Sequence, residues 1–522
     1  GWSLTASGPT RRTWGTRSRV VSRRSASAGI SVYLPFFVRR AKSSSVSRKP
    51  SRKKPAAKAK PDPAQLKAIE RLLEQADYRT AVHRTRALVK RFPNYGGLRR
   101  SLVEALRAAE GPSAAGLAAF DWAERRRNSL PAQETLLYCA AELYLPALVG
   151  RVARRVRELG GDVPGTVPGP MDLQELSHDT LGPGSSVEDL ERFDIAQLHL
   201  TGKDLHGALR WLDGMVQSPA RNNRGVALFQ LQRIEEALGV LMAAWQEHPE
   251  NILALSWAVQ LRLYRGDETG ALDLCMPLAE GVPISLDHAL SQLQVLLLMK
   301  QNVPALEAFR TALDSGWEGP ATRRAGARLR HYGACAACRL GQRSEARRLW
   351  REALALDSDL YLAQTNLSEL ERAAEPPQFP QALELHALFP VQVISIMREL
   401  KKDAELAAVQ ASNAYLEAAY SSGNEVGRTA ASLPLKFRAE HGDADAVARL
   451  KAFARLPIGS KFERFGYLKF LREQDLMAPE EPMEIWGDDG LTEVKLLSTV
   501  VDREPASSGL PKDLDALLSQ SI

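Results

Sequence analysis

The residues best suited to chemistry are Cys335 and Cys338, two thiols three positions apart, with His331 four positions before the first. That spacing places all three on one helical face, where they could hold a metal ion or form a redox pair. Each use asks for more than the chain supplies. Zinc takes four ligands, and no second Cys-x-x-Cys completes the set. Redox cysteines gain reactivity at a helix N-terminus, whereas these fall inside a helix. Two small side chains lining a groove or core account for the pair, and neither metal nor cofactor is expected. Asn366-Leu367-Ser368 fits a glycosylation sequon, which is accidental without a secretory signal. The short signatures of phosphate loops, dinucleotide folds, zinc proteases, nucleophile elbows and EF-hands do not occur in the sequence. No motif therefore speaks for an enzyme.

The elements that would position these residues are helical, and the composition permits a large folded body. The chain has 522 residues, 44% of them hydrophobic, with no apolar stretch long enough to span a membrane. Its four cysteines are too few for a disulfide framework and suggest a reducing, cytoplasmic setting. The net charge of +7 is unevenly spread. Of 69 Lys/Arg, 16 lie in residues 1–60, where there is no Asp or Glu, leaving 53 basic against 62 acidic groups in the rest.

Residues 1–60 form the first segment, expected to be a disordered basic tail because an acid-free Ser/Arg/Lys/Pro composition buries too little apolar surface to order itself. Within it Gly29–Val38 is a ten-residue apolar run flanked by Arg23, Arg24, Arg39, Arg40 and Lys42. A signal peptide, a transit peptide and a true start near Val46 all remain open as readings of this stretch. Ser47–Lys60 is a solubilising leader or a weak, salt-sensitive nucleic-acid contact.

After the tail the chain reads as paired helices: 61–160 as N-terminal degenerate repeats, 161–186 as a Gly/Pro-rich linker, 187–372 as the main array, and 373–475 as C-terminal degenerate repeats. Residues 476–522 form a C-terminal tail, with a β-hairpin expected within 483–501. In Arg221–Asn251 small residues sit at Gly225, Ala237 and Ala244, apolar ones at Leu228, Ile234 and Leu241, and Pro249 closes the stretch. That pattern predicts two short amphipathic helices packed at the small residues. The marker Ala237 recurs as Ala208, Ala271, Ala305 and Ala346, at steps of 29, 34, 34 and 41. Beyond Ala373 the period decays, with helices expected at Val391–Lys401, Ala404–Tyr420, Leu435–Leu456 (turning at Gly442) and Lys461–Glu473, and a short amphipathic turn at Asp513–Leu518.

These features resemble the tetratricopeptide repeat, a 34-residue helix–turn–helix unit. The resemblance implies an all-α superhelix of helical hairpins and a non-enzymatic scaffold that binds a peptide or partner protein in its concave groove. Other readings kept open are a nucleic-acid-associated protein using the tail and the repeat-bearing part of a larger enzyme. Counting Gly225 as repeat position 8, the resemblance places groove-facing residues at Phe193, Asn222, Ser256, Leu290 and His331, then at Gln197, Val226, Gln260, Gln294 and Cys335. A third row comprises Leu200, Phe229, Leu263, Leu297 and Cys338, with Arg339 beside it. The result would be a strip of amides beside an apolar strip. A Gln amide both donates and accepts and suits an extended peptide backbone; Gln is also a good surface helix former, and both readings stand. The family's clamp for a C-terminal carboxylate needs Lys and Arg where this chain has Leu253 and Trp257, so that clamp is not implied.

Overall fold

The computed structural model describes residues 60–163, 169–317, 319, 322–372, 379–390, 393–394, 409–478, 480–487 and 490–494. The basic tail through residue 59, most of Val391–Lys401, the first part of Ala404–Tyr420, residues 495–501 and the turn expected at Asp513–Leu518 lie outside them.

Described residues fold into consecutive helical hairpins. The first six helices are α1 (Pro63–Glu74), α2 (Tyr78–Arg91), α3 (Gly96–Glu110), α4 (Pro112–Arg125), α5 (Leu130–Glu142) and α6 (Pro146–Glu158). Pro146 occupies the first turn of α6, a position whose N–H would be unpaired in any case. Next come α7 (Pro170–Leu181), α8 (Val187–Thr201), α9 (Leu205–Leu212), α10 (Ser218–Gln230), α11 (Ile234–Glu247), α12 (Ile252–Arg265) and α13 (Glu268–Glu280). The array continues through α14 (Leu286–Leu298), α15 (Asn302–Asp314), α16 (Arg323–Arg339), α17 (Arg343–Leu356) and α18 (Tyr361–Arg372). A single turn, α19 (Leu385–Leu388), precedes α20 (Asn413–Ser422), α21 (Glu425–Glu440), α22 (Ala444–Ala454) and α23 (Lys461–Glu473). The antiparallel strands β1 (Met483–Gly487) and β2 (Gly490–Val494) close the described chain.

A stretch read as linker, 161–186, contains α7. The glycines and prolines there serve the helix rather than preventing it. Pro170 sits in its first turn, and the Asp172 carboxylate accepts from the Gly169 N–H at 2.9 Å, satisfying one of the end donors a helix leaves open. Leu173 and Leu181 then bury against Phe193, Met215 and Ala220.

The turn inside each hairpin has a shared device. One residue takes a positive φ just before the second helix is capped: Lys203, Gln232, Gly266, Lys300, Gly341 and Gly442. Where the next residue is Asp, its carboxylate accepts an N–H of the following turn, as in Asp204 to Gly207 and Asp267 to Gly270. From Lys203 to Gly341 these positions repeat at the same steps as the small markers five residues later. Lys203, Gln232 and Lys300 hold this conformation without glycine's freedom, at a cost on the order of 1 kcal/mol each.

The markers themselves, Ala208, Ala237, Ala271, Ala305 and Ala346, are fully buried. A Cβ on Gly225 would come within 2.5 Å of Leu241, so the two helices of that hairpin already touch. Ala237→Leu is therefore expected to lower stability by about 1–3 kcal/mol, the usual cost of overpacking. Urea denaturation measures it, and an unchanged midpoint would mean the small residue does not set the packing distance.

One continuous apolar core runs from Leu228 to Ile485, so the residues beyond 373 pack as part of the main array. A second core covers Ile69 to Leu198. The buried Asp194 of α8 accepts from the Ala147 and Leu148 N–H groups at 2.8 and 3.1 Å, capping α6 from a neighbouring hairpin. Burial pushes its carboxyl up to about 7, while those two donors pull it down.

Candidate functional site

The inner face of α12, α14, α16 and α18 is lined by groups that bind peptide backbone, and it holds one. The stretch 379–390 of the same chain, extended through Glu384 and then turning once as α19, lies along it. Asn366 on α18 makes a two-way clamp, its Nδ2 donating to the Gln381 carbonyl at 2.9 Å and its Oδ1 accepting from the Gln381 N–H at 2.9 Å. On α16, His331 Nε2 lies 3.2 Å from the Ala382 carbonyl. Further along, Gln260 on α12 donates to the Ala387 carbonyl at 3.1 Å and to the Tyr415 hydroxyl at 2.9 Å, and Gln294 on α14 reaches the Ala387 carbonyl at 3.5 Å. Tyr415 Oη donates to the Leu388 carbonyl. The segment thus runs from the later hairpins toward the earlier ones.

From the other side, α20 and its flanks hold the segment in place. The Ala382 and Leu383 N–H groups both donate to the Ser422 carbonyl at 2.9 Å, and the Asn424 N–H donates to the Leu383 carbonyl at 3.0 Å. Ser412 fastens the start of α20 to the end of α12, its N–H donating to the Tyr264 carbonyl at 2.8 Å and its hydroxyl to the Leu263 carbonyl at 2.7 Å. Leu383, Leu388, Phe389 and Tyr415 are all 1% exposed or less.

This arrangement alters the roles expected of several residues. Phe229 is not an open anchor; it is 2% exposed, with the Trp257 and Tyr264 rings each 5.5 Å from its own. Leu263 and Leu297 are buried in the same core. Asn222 is buried in a reciprocal amide pair with Asn251, both bonds 3.0 Å, and Asn251 in turn caps α12 through the Ala254 N–H. Ser256 is fully buried. Phe193 packs with Leu173 of α7, and Leu200 with Ala208 and Ala227. Gln197, Val226 and Leu290 remain half-buried. Arg339 is half-buried, donating to the Leu297 carbonyl at 2.7 Å and the Ser422 hydroxyl at 3.3 Å. Asn366, read from sequence only as an accidental sequon, is fully buried and holds the segment.

The cysteine–histidine cluster belongs to the same face. Trp350 Nε1 can only donate and lies 3.2 Å from His331 Nδ1, so Nδ1 accepts. The ring proton is therefore on Nε2, which donates to the Ala382 carbonyl. Both nitrogens are committed, and burial holds the ring neutral, its pKa down to about 4. Burial pushes the Cys338 thiol up to about 12 and the Cys335 thiol higher still, so neither supplies a thiolate near neutrality. Among the described residues no group of three or more His, Cys, Asp and Glu is placed to hold a metal ion. None of the described helices is long and apolar enough to cross a membrane.

Hairpin follows hairpin, and the buried small markers from Ala208 to Ala346 step by 29, 34, 34 and 41. The fold is tetratricopeptide-like. Neither a family model nor a curated protein matches the sequence. Among solved structures, the chain overlaps the crystal structure of the P58(IPK) TPR domain at 13% identity and a TM-score of 0.20, over 78% of this chain and 98% of that one. A likeness at that score carries no weight of its own, and the fold description rests on this chain's own hairpins.

The residues that sequence reasoning missed are the occupant and its fasteners: Gln381 to Phe389, Ser412, Tyr415 and Ser422. A faint signal existed in Glu375–Pro380, where the repeat period gives way to a Pro-rich stretch that favours extended chain.

Proposed function

We propose that the chain is a non-enzymatic protein-interaction scaffold whose groove over α12 to α18 is committed to its own segment, so that outside partners dock on faces the segment leaves free. The observation that carries this reading is the occupied groove. Its amides and imidazole bond the backbone at Gln381, Ala382 and Ala387, and side chains that meet main-chain groups in this way are a mode of peptide recognition. Four apolar side chains of the segment and its fastener are sealed beneath. Leaving the groove would expose them, at about 1.5–3 kcal/mol each for a full side chain. An incoming peptide would have to offset that before gaining anything. The array keeps large apolar side chains in solvent elsewhere, Tyr144, Met171, Met276 and Phe462 among them. Exposed apolar groups gathered into patches mark interaction surfaces.

Cross-linking of the full chain in its native cell, read by mass spectrometry, tests the proposal. Reproducible partner proteins should appear, cross-linked to outer helices. Gln260→Ala should leave those cross-links in place while lowering stability by about 1–3 kcal/mol, since its bonds to the Ala387 carbonyl and the Tyr415 hydroxyl are both lost. Loss of the partner in Gln260→Ala without loss of stability would return the groove to an outside peptide. No reproducible partner would overturn the scaffold reading.

A further inference from the structure

The stretch from Ile234 to Met299 spans α11 to α14 and carries nine Asp/Glu against two basic residues, Arg262 and Arg265. Both cations are already taken, Arg262 by Asp267 at 2.8 Å and Arg265 by Glu235 at 2.7 Å. Glu268, Asp273 and Glu280 of α13 are exposed and have no ion-pair partner among the described residues. Between them stand Leu272 and Met276, one helical turn apart, 50% and 69% exposed. The turn after α13 adds Val282 at 69% and Ile284 at 55%. Four large apolar side chains in thirteen residues, rimmed by unpaired carboxylates, are more than the scattered exposure of an ordinary surface.

We propose that this outer face of α13, with the turn that follows it, docks a cationic amphipathic helix from a partner protein, an assignment that rests on the scaffold reading above. Leu272 and Met276 form an i, i+4 ridge, which a facing helix receives between its own side chains. Met276, with three rotatable bonds, fits itself to the partner's surface. Glu268, Asp273 and Glu280 supply the complementary charge at the rim, where it guides encounter and selects the partner's sign. A second copy of the chain is disfavoured on this face, because two-fold pairing would set its carboxylates against their own copies. The sign of the charge excludes nucleic acid.

The test uses the full chain and two fluorescent synthetic helical peptides with the same leucine pattern, one with lysine and one with glutamate at the polar positions, followed by anisotropy. The lysine peptide should bind, weakening several-fold as salt rises from about 50 to 300 mM, and the glutamate peptide should not. The double substitution Leu272→Lys with Met276→Lys should cut affinity at least tenfold while leaving thermal unfolding unchanged, because both side chains already face solvent. Tyr144→Lys, at a residue 90% exposed on another hairpin, should bind like the parent. No binding of the lysine peptide, or binding indifferent to the double substitution, would overturn the proposal. If cellular partners persist in the double variant, the scaffold reading survives and only this face is wrong; if no partner is found with the parent chain, the scaffold reading itself fails.

Discussion

Phe389→Ala is expected to destabilise the protein by about 3–5 kcal/mol, the cost of removing a buried aromatic ring from a packed core. Phe389 lies in the segment that fills the groove, yet it is 1% exposed and meets the Tyr415 ring edge-on with centroids 6.1 Å apart. Tyr415 in turn stands 4.8 Å from Tyr264 on α12. The ring is therefore a rivet between the array and the helices that follow, and its loss leaves a cavity at their junction. Urea denaturation should show the loss directly. Hydrogen exchange should show α20 to α23 losing protection before α3 to α6, because the latter belong to a separate core. Phe462→Ala, at a side chain 89% exposed on α23, should stay within about 0.5 kcal/mol of the parent. If Phe389→Ala matched Phe462→Ala, the segment would be a loosely held strap rather than core.

What could be read from the sequence follows from what is local. Each hairpin is closed by contacts within some thirty residues, so Ala237, Ala271 and Ala305 advertise their register at steps of 34, and Lys461–Glu473 shows its helix by periodicity alone. The hairpin near the C-terminus was legible for a similar reason, since Asp489-Gly490 lies between two β-prone runs. The content of the groove was not legible. Gln260 and Ala387 are 127 positions apart, and nothing in the composition of 379–390 says which surface will receive it. The Gln residues at 260 and 294 are expected from sequence to meet the backbone of a partner; the backbone they meet is that of residue 387 in their own chain. Burial follows the same logic. Position 12 of a repeat faces inward whether solvent or protein lies there, so Phe229 looks like an anchor until Trp257 and Tyr264 are seen packed against it. The helix α7 was missed because Gly and Pro punctuate helix ends as well as loops.

The acid side of the stability profile should carry the mark of His331. Its folded pKa is lowered to about 4, first by burial and further by Arg328 nearby, with the Ala382 carbonyl opposing both. In the unfolded chain the ring takes up a proton near 6.5. Below that pH the unfolded state binds more protons than the folded one, so the stability His331 contributes is complete above pH 6.5 and is lost as pH falls toward 4. The slope reaches about 1.4 kcal/mol per pH unit, and the total over the window is on the order of 3 kcal/mol. A second proton has only Nδ1 to occupy, where it would confront the Trp350 N–H, so protonation breaks that bond as well as burying a charge. Other histidines, the buried His199 and the half-buried His288 and His386, are shifted the same way, which is why the comparison must be between the parent and His331→Gln, in which they cancel. Glutamine keeps a donor and an acceptor but does not titrate. The variant should be less stable than the parent at pH 7.5, with the gap narrowing by roughly 2–3 kcal/mol by pH 4.5 in paired urea titrations. A gap constant across that range would mean that His331 is not held neutral between Trp350 and Ala382, and the clamp on the segment at that point would have to be redrawn.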